Sequence, residues 1–512
     1  MALGLQSYVS RWTQTPHPAK NSEGATGSSP TNWGRSYTCQ RWLILDARKA
    51  LPAGAFLHYP YLMVIYSTLY RTFTLSGMVV NPVGLAARVV KMAPLLAAYG
   101  CNAILWPPLT MSQGGAADNA DGYGKARDLD IGQFAQGTRW GTAPLVLKAN
   151  KAIHKSGMMV LEDAVIHQYA GSLPIYELDA KGKVDKALFP KPPSCFVPQV
   201  AVDKVFNTDG NQPFGQMVSY QNSIPPGYML HGVVETMCWR RDVLGLDGGR
   251  LDDTKGEASS VSARIIDRVG GWWFGECFEG NPQELARWVR ESKGKRTLDF
   301  TLHWAIKAAC EGAMSLRALP GNGFYAIDPD HSVLFVESAD TDNNTSQNVR
   351  WNKIWGYLLI LTLPAAAAMV YAGDYEKYDL ANQINNLMWI GSTMAFGGLR
   401  WEHVEDEVVA WSRDGDGGGV GQSKGLLCGF NRGSQRTFWC RTPFAPNQRL
   451  HDYTGNAGDI WTNGDGWVNI AIPAQGYVAY SLAGQDVTIK PKARKETATG
   501  DFFNFSSIEA TL

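Results

Sequence analysis

From residue 84 to residue 376, short apolar runs alternate with segments of helical period, and that rhythm restricts the folds open to the chain. Leu85, Val89, Met92 and Leu96 repeat at helical spacing, and Gly100 ends the segment. NAILWPP follows as a short buried strand closed by Pro107. Val146, Ala149 and Ile153 mark the next helix, with Gly157 as its stop, and MMVLEDAV is the next strand. The order continues with helix VETMCWRRDV, strand LGLDGGRLD, helix SSVSARIIDRV and strand GWWFGECF. The helix NPQELARWVRES has Asn281 as its N-cap and Pro282 at its first position. RTLDFTL, SVLFVESAD and AAAAMVYAGDY complete seven strands. Alternation of this length implies a parallel sheet closed into a (β/α)8 TIM barrel. The first strand is either RWLILDA, residues 41–47, or a run within 55–65.

A chain of 512 residues is too long for one core, and the pattern divides it. Residues 1–35, rich in Ser, Thr, Pro, Gly and Asn, read as an extended arm, and the barrel occupies 36–400. Residues 168–230 interrupt it with a stretch too long for an ordinary loop, which reads as a subdomain inserted on the barrel's working face. Across 401–490 the period changes to short alternating runs such as VVAWSRDG, GLLCGFNRG and WVNIAIPA, which predict an antiparallel β-sandwich, and 491–512 is a tail. DGDGGGVGQ at 414–422 has no helix after it and reads as a hairpin turn, not a phosphate loop.

Formal net charge is zero, with 47 basic and 47 acidic residues, which removes the bulk electrostatic case for nucleic acid or an anionic membrane. AFLHYPYLMVIYSTLY is too short for a span and carries His58 and Pro60, so no membrane role is expected. The N-terminus lacks a basic region followed by an apolar one, which favours a cytoplasmic location. None of the eight cysteines forms a C-x-x-C pair, so a zinc ribbon is not expected, and nothing in their spacing demands disulfides. The 18 tryptophans and 20 tyrosines supply flat apolar faces of the kind on which sugar C–H faces stack, beyond their work in the core.

Four predicted barrel strands end in an acid: Asp163, Asp252, Glu276 and Asp340. Strand C-termini share one face of a barrel, so these carboxylates converge. Clustered carboxylates suit retaining glycoside cleavage, in which one attacks the anomeric carbon and a second, kept protonated, supplies a proton to the leaving oxygen. Crowding raises at least one of their pKa values, and the rings of Trp272, Trp273, Phe274 and Phe278 beside Glu276 add desolvation in the same direction. Arg250, two residues before Asp252, shares its strand face and can hold it ionised, whereas Asp253 should face the other way. Arg250 and Lys255 so close to the acids weigh against a bound cation.

At these residues the chain resembles the α-amylase family of glycoside hydrolases, family 13, from about residue 84 to 485. GGRLDDTKG resembles the family's nucleophile segment, which implies Asp252 as nucleophile with Arg250 and Lys255 as partners. WWFGECF resembles the general-acid segment and implies Glu276 as acid/base. FVESADT resembles the segment of the third acid, which implies that Asp340 grips sugar hydroxyls and helps distort the ring. LEDAVIHQYAG is similar to the first motif, with Asp163 in place, and DGYGKARDLDIGQF to the segment in which Tyr123 stacks on the sugar beside the scissile bond.

The first motif usually reads D-x-V-x-N-H and is here Asp163, Val165, His167, Gln168. The third-acid segment usually reads N-H-D and is here Ser338, Ala339, Asp340, so both usual sugar-binding histidines are replaced, with His167 one place early as a partial substitute. His167 and Gly256 also stand where the family has its calcium-associated asparagine and histidine, so calcium is possible but the usual site is altered, and no cofactor is expected to be required. The resemblance implies a monomeric retaining α-glucan hydrolase acting on α-1,4 bonds of starch or maltooligosaccharides. An α-glucan transglycosylase on the same scaffold and a non-catalytic glucan-binding protein remain as alternatives.

Overall fold

Strands buried on both faces need apolar residues at successive positions, and the barrel strands have them. The structure is a computed structural model that describes residues 62–134, 137–197, 215–220, 223, 226–415 and 425–484. The predicted arm at 1–35, the RWLILDA candidate and the tail at 491–512 lie outside these residues. The first barrel strand, β1, is Met63–Ser67, overlapping the end of the 55–65 alternative. A hairpin follows, β2 (Tyr70–Thr74) and β3 (Gly77–Asn81), and then β4 (Ala103–Trp106) and β5 (Met159–Ala164). The insertion contributes the two-residue strands β6 (Gln168–Tyr169), β7 (Glu177–Leu178), β8 (Val184–Asp185) and β9 (Gln216–Met217). The remaining barrel strands are β10 (Gly248–Leu251), β11 (Trp272–Gly275), β12 (Arg296–Leu298), β13 (Ser332–Phe335) and β14 (Ala367–Tyr371).

The closed order is β1-β14-β13-β12-β11-β10-β5-β4, and every neighbouring pair is parallel. Alternate residues fill the interior, among them Ile65, Leu105, Leu161, Phe274, Val333 and Met369. The other set, including Tyr66, Trp106 and Val160, packs outward against the helices. Continuing the inward set by two residues leads from Leu161 to Asp163 and from Phe274 to Glu276, so the period of two that packs the core also aims the acids at the barrel mouth.

Three predicted strands are shorter than read, because each run passes into a helix, in two of them at a polar cap. In RTLDFTL only Arg296–Leu298 is strand, and Asp299 accepts from the N–H of Leu302 and starts the helix Phe300–Cys310. SVLFVESAD ends as strand at Phe335, and Ser338 caps the short helix Ala339–Asp342 that carries Asp340. In AAAAMVYAGDY the strand stops at Tyr371 and a helical turn follows. Asn281 caps its helix as read, accepting from Gln283 N–H at 3.0 Å. The helix containing VETMCWRRDV begins at Tyr228, after Gly227 in the left-handed region (φ 77°), two residues before the expected end of the insertion.

Beyond the barrel, β15 (Leu399–Val404), β16 (Val408–Arg413), β17 (Leu426–Asn431), β18 (Arg436–Arg441), β19 (Arg449–Asp452), β20 (Ile460–Trp461), β21 (Trp467–Ile472) and β22 (Gly476–Leu482) form the C-terminal domain. A six-stranded sheet, β15-β16-β17-β22-β19-β20, faces the two-stranded sheet β18-β21 over Leu427, Leu450, Val468, Ile470 and Val478. Arg413 pairs antiparallel with Leu426, and residues 416–424, which include most of the run expected to form a hairpin turn, lie outside the described set. Trp411 Nε1 donates to Thr362 Oγ1 at 3.0 Å, and Arg432 donates to the carbonyls of Ala309 and Met314, which fixes this domain to the barrel. The seven described cysteines are all buried free thiols. Among the described residues no helix is long and apolar enough to cross a membrane.

Strand β10 comes close to both neighbours because it opens with two glycines. A Cβ on Gly249 would lie 2.0 Å from the carbonyl oxygen of Glu162 and 2.6 Å from the Trp273 ring. Gly249→Ala is therefore expected to destabilise the fold by about 1–3 kcal/mol through overpacking. Denaturant unfolding measures this, and an unchanged midpoint would contradict the close approach.

Candidate active site

One guanidinium organises the barrel mouth. Arg250 pairs in register with Asp163 on β5 and with Phe274 on β11, so its side chain rises between two acid-bearing strands. Its Nη1 meets Asp163 Oδ2 and lies 3.1 Å from Asp252 Oδ1. Its Nη2 lies 2.6 Å from Glu276 Oε2 and 4.0 Å from Asp340 Oδ2. The four acids expected at strand ends therefore meet around one cation. Arg250, Asp163, Asp252 and Glu276 are buried, while the Asp340 side chain is 44% exposed and faces the opening. The planar fork of arginine donates in several directions at once, which a lysine in this position cannot do.

Burial sets the protonation of this cluster. It lifts Glu276 to about 7, with Asp340 and Asp253 adding repulsion and Arg250 opposing. It also raises Asp252 above the usual carboxylate range against the pull of Arg250, with Glu276 and Asp163 adding. Two such neighbours titrate as a unit, and the cluster retains a proton near neutrality. A carboxyl kept protonated in this way is suited to donate a proton.

Tyr123 stands beside this group, its hydroxyl donating to Asp163 Oδ2 at 2.7 Å and its backbone N–H to Asp121 Oδ1 at 3.1 Å. A cleft lined by Tyr123, Asp163, Arg250, Asp340, Trp106 and Met369 lies at this point. The turn bearing Asp340 rests on a buried polar network. Glu337 Oε2 accepts from Thr341 Oγ1 at 2.6 Å, and Lys353 Nζ reaches Glu337 at 3.2 Å and Asp374 at 2.6 Å.

The structure corrects three expectations. Asp253 lies beyond its strand, not on the opposite face of it, and its carboxylate rests against the His167 ring. The strand ends at Leu251, Asp253 takes a left-handed conformation (φ 43°), and its N–H donates to Glu276 Oε2 at 3.2 Å. His167 does not face the pocket. Its ring is buried, with Nε2 3.5 Å from Asp253 Oδ2, and it fills the space where a Cβ on Gly256 would come within 2.1 Å. Gln168 reaches the site instead, its Nε2 lying 3.5 Å from Asp252 Oδ2. Lys255 donates to the carbonyl of Phe278 at 3.0 Å and lies 3.4 Å from Glu279, so it braces the loop after β11.

The residues at the altered calcium positions do not fit a hard cation, which takes about six to eight oxygen ligands. His167 and Gly256 form a ring-on-glycine contact, and ammonium groups hold the insertion nearby. Lys125 Nζ donates to Val165 O at 2.7 Å and to Asp128 at 3.0 Å. Lys191 Nζ donates to Glu177 at 2.6 Å and lies 3.2 Å from Asp128, and the Tyr169 hydroxyl donates to Asp128 at 2.7 Å. All of these groups are buried.

Sequence reasoning missed Arg71, Asp121, Gln168 as a site residue, and this buried cluster. Asp121 and Lys125 lie inside the quoted Gly-Tyr segment, but only the fold gives them partners, and no local pattern marks Arg71.

Comparison with known proteins gives three further findings. Residues 431–481 match the domain family described as "Alpha-amylase C-terminal". The chain is 24% identical over 320 residues, 56% of its length, to chloroplastic alpha-amylase 3 of Arabidopsis thaliana, and it spans 34% of that relative. Among solved structures, an α-amylase from Geobacillus thermoleovorans complexed with acarbose aligns with a TM-score of 0.64 at 15% identity, over 84% of this chain and 99% of that one. A three-domain cyclomaltodextrin glucanotransferase aligns with a TM-score of 0.61 at 15% identity, over 83% of this chain and 100% of that one. The structural likenesses establish the barrel and its C-terminal sheet domain as a shared architecture.

Because the charge of Asp253 helps to raise Glu276, Asp253→Asn should lower the Glu276 pKa from about 7 while asparagine keeps the left-handed turn. Carboxyl infrared titration, with Glu276→Gln as the blank, reads this directly. A midpoint that stays or rises would contradict the placement of Asp253.

Proposed function

We propose that this chain is an atypical member of the α-amylase family of glycoside hydrolases, without the two usual active-site histidines, and that it acts as a retaining α-glucan hydrolase; the C-terminal domain match and the shared barrel support this reading. The substrates are α-1,4-linked glucans of starch or maltooligosaccharide type. The observation that carries this reading is the shared guanidinium, with Arg250 beside Asp252 at 3.1 Å and beside Glu276 at 2.6 Å while burial holds Glu276 near 7.

In the first step Glu276 transfers its proton to the glycosidic oxygen as the bond to the anomeric carbon breaks. Asp252 attacks the same carbon from the opposite face and forms a glycosyl-enzyme ester. Glu276, now ionised, takes a proton from water, whose oxygen displaces Asp252 and restores the α configuration. A sugar hydroxyl in place of that water makes the reaction a transfer on the same residues. Asp340 and Arg250 orient the reacting sugar, and Tyr123, braced by Asp163, lies under it as a stacking surface. The Gln168 amide and Ala339 stand where imidazoles would bind sugar hydroxyls, so fewer charge-assisted bonds strengthen in the transition state, and turnover is modest.

Products from soluble starch and maltooligosaccharides test the reading. α-Anomeric sugar products are expected, with water as the main acceptor at low oligosaccharide concentration. Asp252→Asn should abolish turnover with the fold retained, and Glu276→Gln should slow it by about 10²–10⁴-fold. Undiminished turnover in Asp252→Asn would sink the assignment.

A chelator should leave the rate unchanged, because His167, Lys125 and Lys191 occupy the junction with ring and ammonium groups. Loss of activity on chelation, restored by calcium, would overturn that part of the proposal.

A further inference from the structure

The hairpin β2–β3, which leaves the barrel directly after β1, carries an arginine that the mechanism above does not use. Arg71 Nη1 lies 3.1 Å from Asp340 Oδ1 and donates to the carbonyl of Ala339 at 3.1 Å. Its Nη2 lies 2.9 Å from Asp121 Oδ2, and its guanidinium carbon sits 5.7 Å from the Tyr123 ring centre. The side chain is 12% exposed. One side chain therefore ties together the loops that follow β1, β4 and β13. With β14, these strands form one continuous side of the closed barrel.

The hairpin that presents Arg71 is itself anchored. The Tyr70 hydroxyl donates to Glu376 Oε2 at 2.7 Å, and Arg88 holds the same oxygen at 2.9 Å. At the other strand Val80 N–H donates to Asp118 O at 2.8 Å, and Arg139 donates to Val80 O at 2.8 Å and pairs with Asp118 at 3.2 Å. Two carboxylates grip the guanidinium from different loops, so moving it aside breaks two ion pairs together.

The position of the acid tells which end of the substrate meets this strap. With Glu276 as the group that protonates the leaving oxygen, the leaving part would extend over the β10 and β11 loops, where Lys255 donates to the carbonyl of Phe278. The retained sugar would then lie on the opposite side, against Tyr123 and Asp340, the two residues that the Arg71 bridge touches. A glucan threaded through its middle would need a second retained sugar in the space the bridge spans.

We propose that Arg71, bridged to Asp340 and Asp121, closes the site behind a single retained sugar and so makes the protein act on the non-reducing terminal glucosyl unit of its substrate. This rests on the proposed glycosidase reading and adds the mode of attack to it. Arg71 acts as a specificity-determining residue by obstruction, while its pairing with Asp340 also positions that acid.

The test compares maltoheptaose with the same oligosaccharide blocked at its non-reducing end. Wild-type protein should release glucose one unit at a time from the free form and cleave the blocked form at least about 100-fold more slowly. Arg71→Ala should raise the kcat/KM ratio of blocked to free substrate by about tenfold or more, with Arg71→Lys keeping most of the wild-type preference. Asp121→Asn, which keeps the acceptor for Tyr123 N–H but removes one ion pair, should shift the ratio the same way. Comparable wild-type cleavage of both substrates, or a ratio unchanged in both Arg71→Ala and Asp121→Asn, would overturn the inference and leave the glycosidase reading standing. No cleavage of either substrate by wild type would sink the glycosidase reading itself, and the inference with it.

Discussion

The site depends on the guanidinium of Arg250. Four carboxylates converge on the barrel mouth, three of them buried with it, and at low dielectric their mutual repulsion would drive them apart or protonate them all. A single planar cation within reach of all four lets some stay ionised while another keeps its proton. Its position follows from backbone packing. Gly248 and Gly249 let β10 lie hard against β5 and β11, and that approach carries Arg250 into register with Asp163. Removing one partner of such a buried cluster leaves the others uncompensated, at a cost of about 3–5 kcal/mol. Chemistry and stability thus share the same residue.

Two further buried charge clusters carry the loops around that centre. Under the insertion, the ammonium groups of Lys125 and Lys191 face the carboxylates of Asp128 and Glu177, so the charges balance within the cluster. Glu177 also accepts the backbone N–H groups of Asp128 and Leu129, both at 3.0 Å, which locks the segment after Tyr123. Under the Asp340 turn, Lys353 serves Glu337, Asp374 and Asp342. Ion pairs of this kind contribute little net stability against apolar packing of similar volume. Their value here is positional, because each fixes a loop that carries a residue of the site.

Legibility was uneven for identifiable reasons. The strands from Ala103 onward were readable because burial on both faces demands continuous apolar runs. Their ends were less so. Asp299 and Ser338 look like strand termini in the sequence but cap helices, since their side chains take backbone N–H groups that a strand would pair elsewhere. Asp163, Asp252 and Glu276 could be placed because strand period and barrel topology together send such residues to one face, whereas Asp340 reaches that face from the helix after its strand. His167 and Gln168 could not be told apart, because the chain turns just after β5 and the strand period no longer says which side chain faces in.

The sequence by itself determined the parallel barrel, the inserted segment, the change to antiparallel sheets and the identity of the four converging acids. Each of these is written in local period or in a residue's offset from a strand end. Only the tertiary structure decided that one guanidinium serves all four acids, that His167 packs on Gly256, that Asp253 turns its N–H to Glu276, and that Arg71 bridges Asp121 and Asp340. These contacts join loops far apart along the chain. A loop's path is set by the groups it meets in space, and pairing between distant residues leaves no period for a sequence to display.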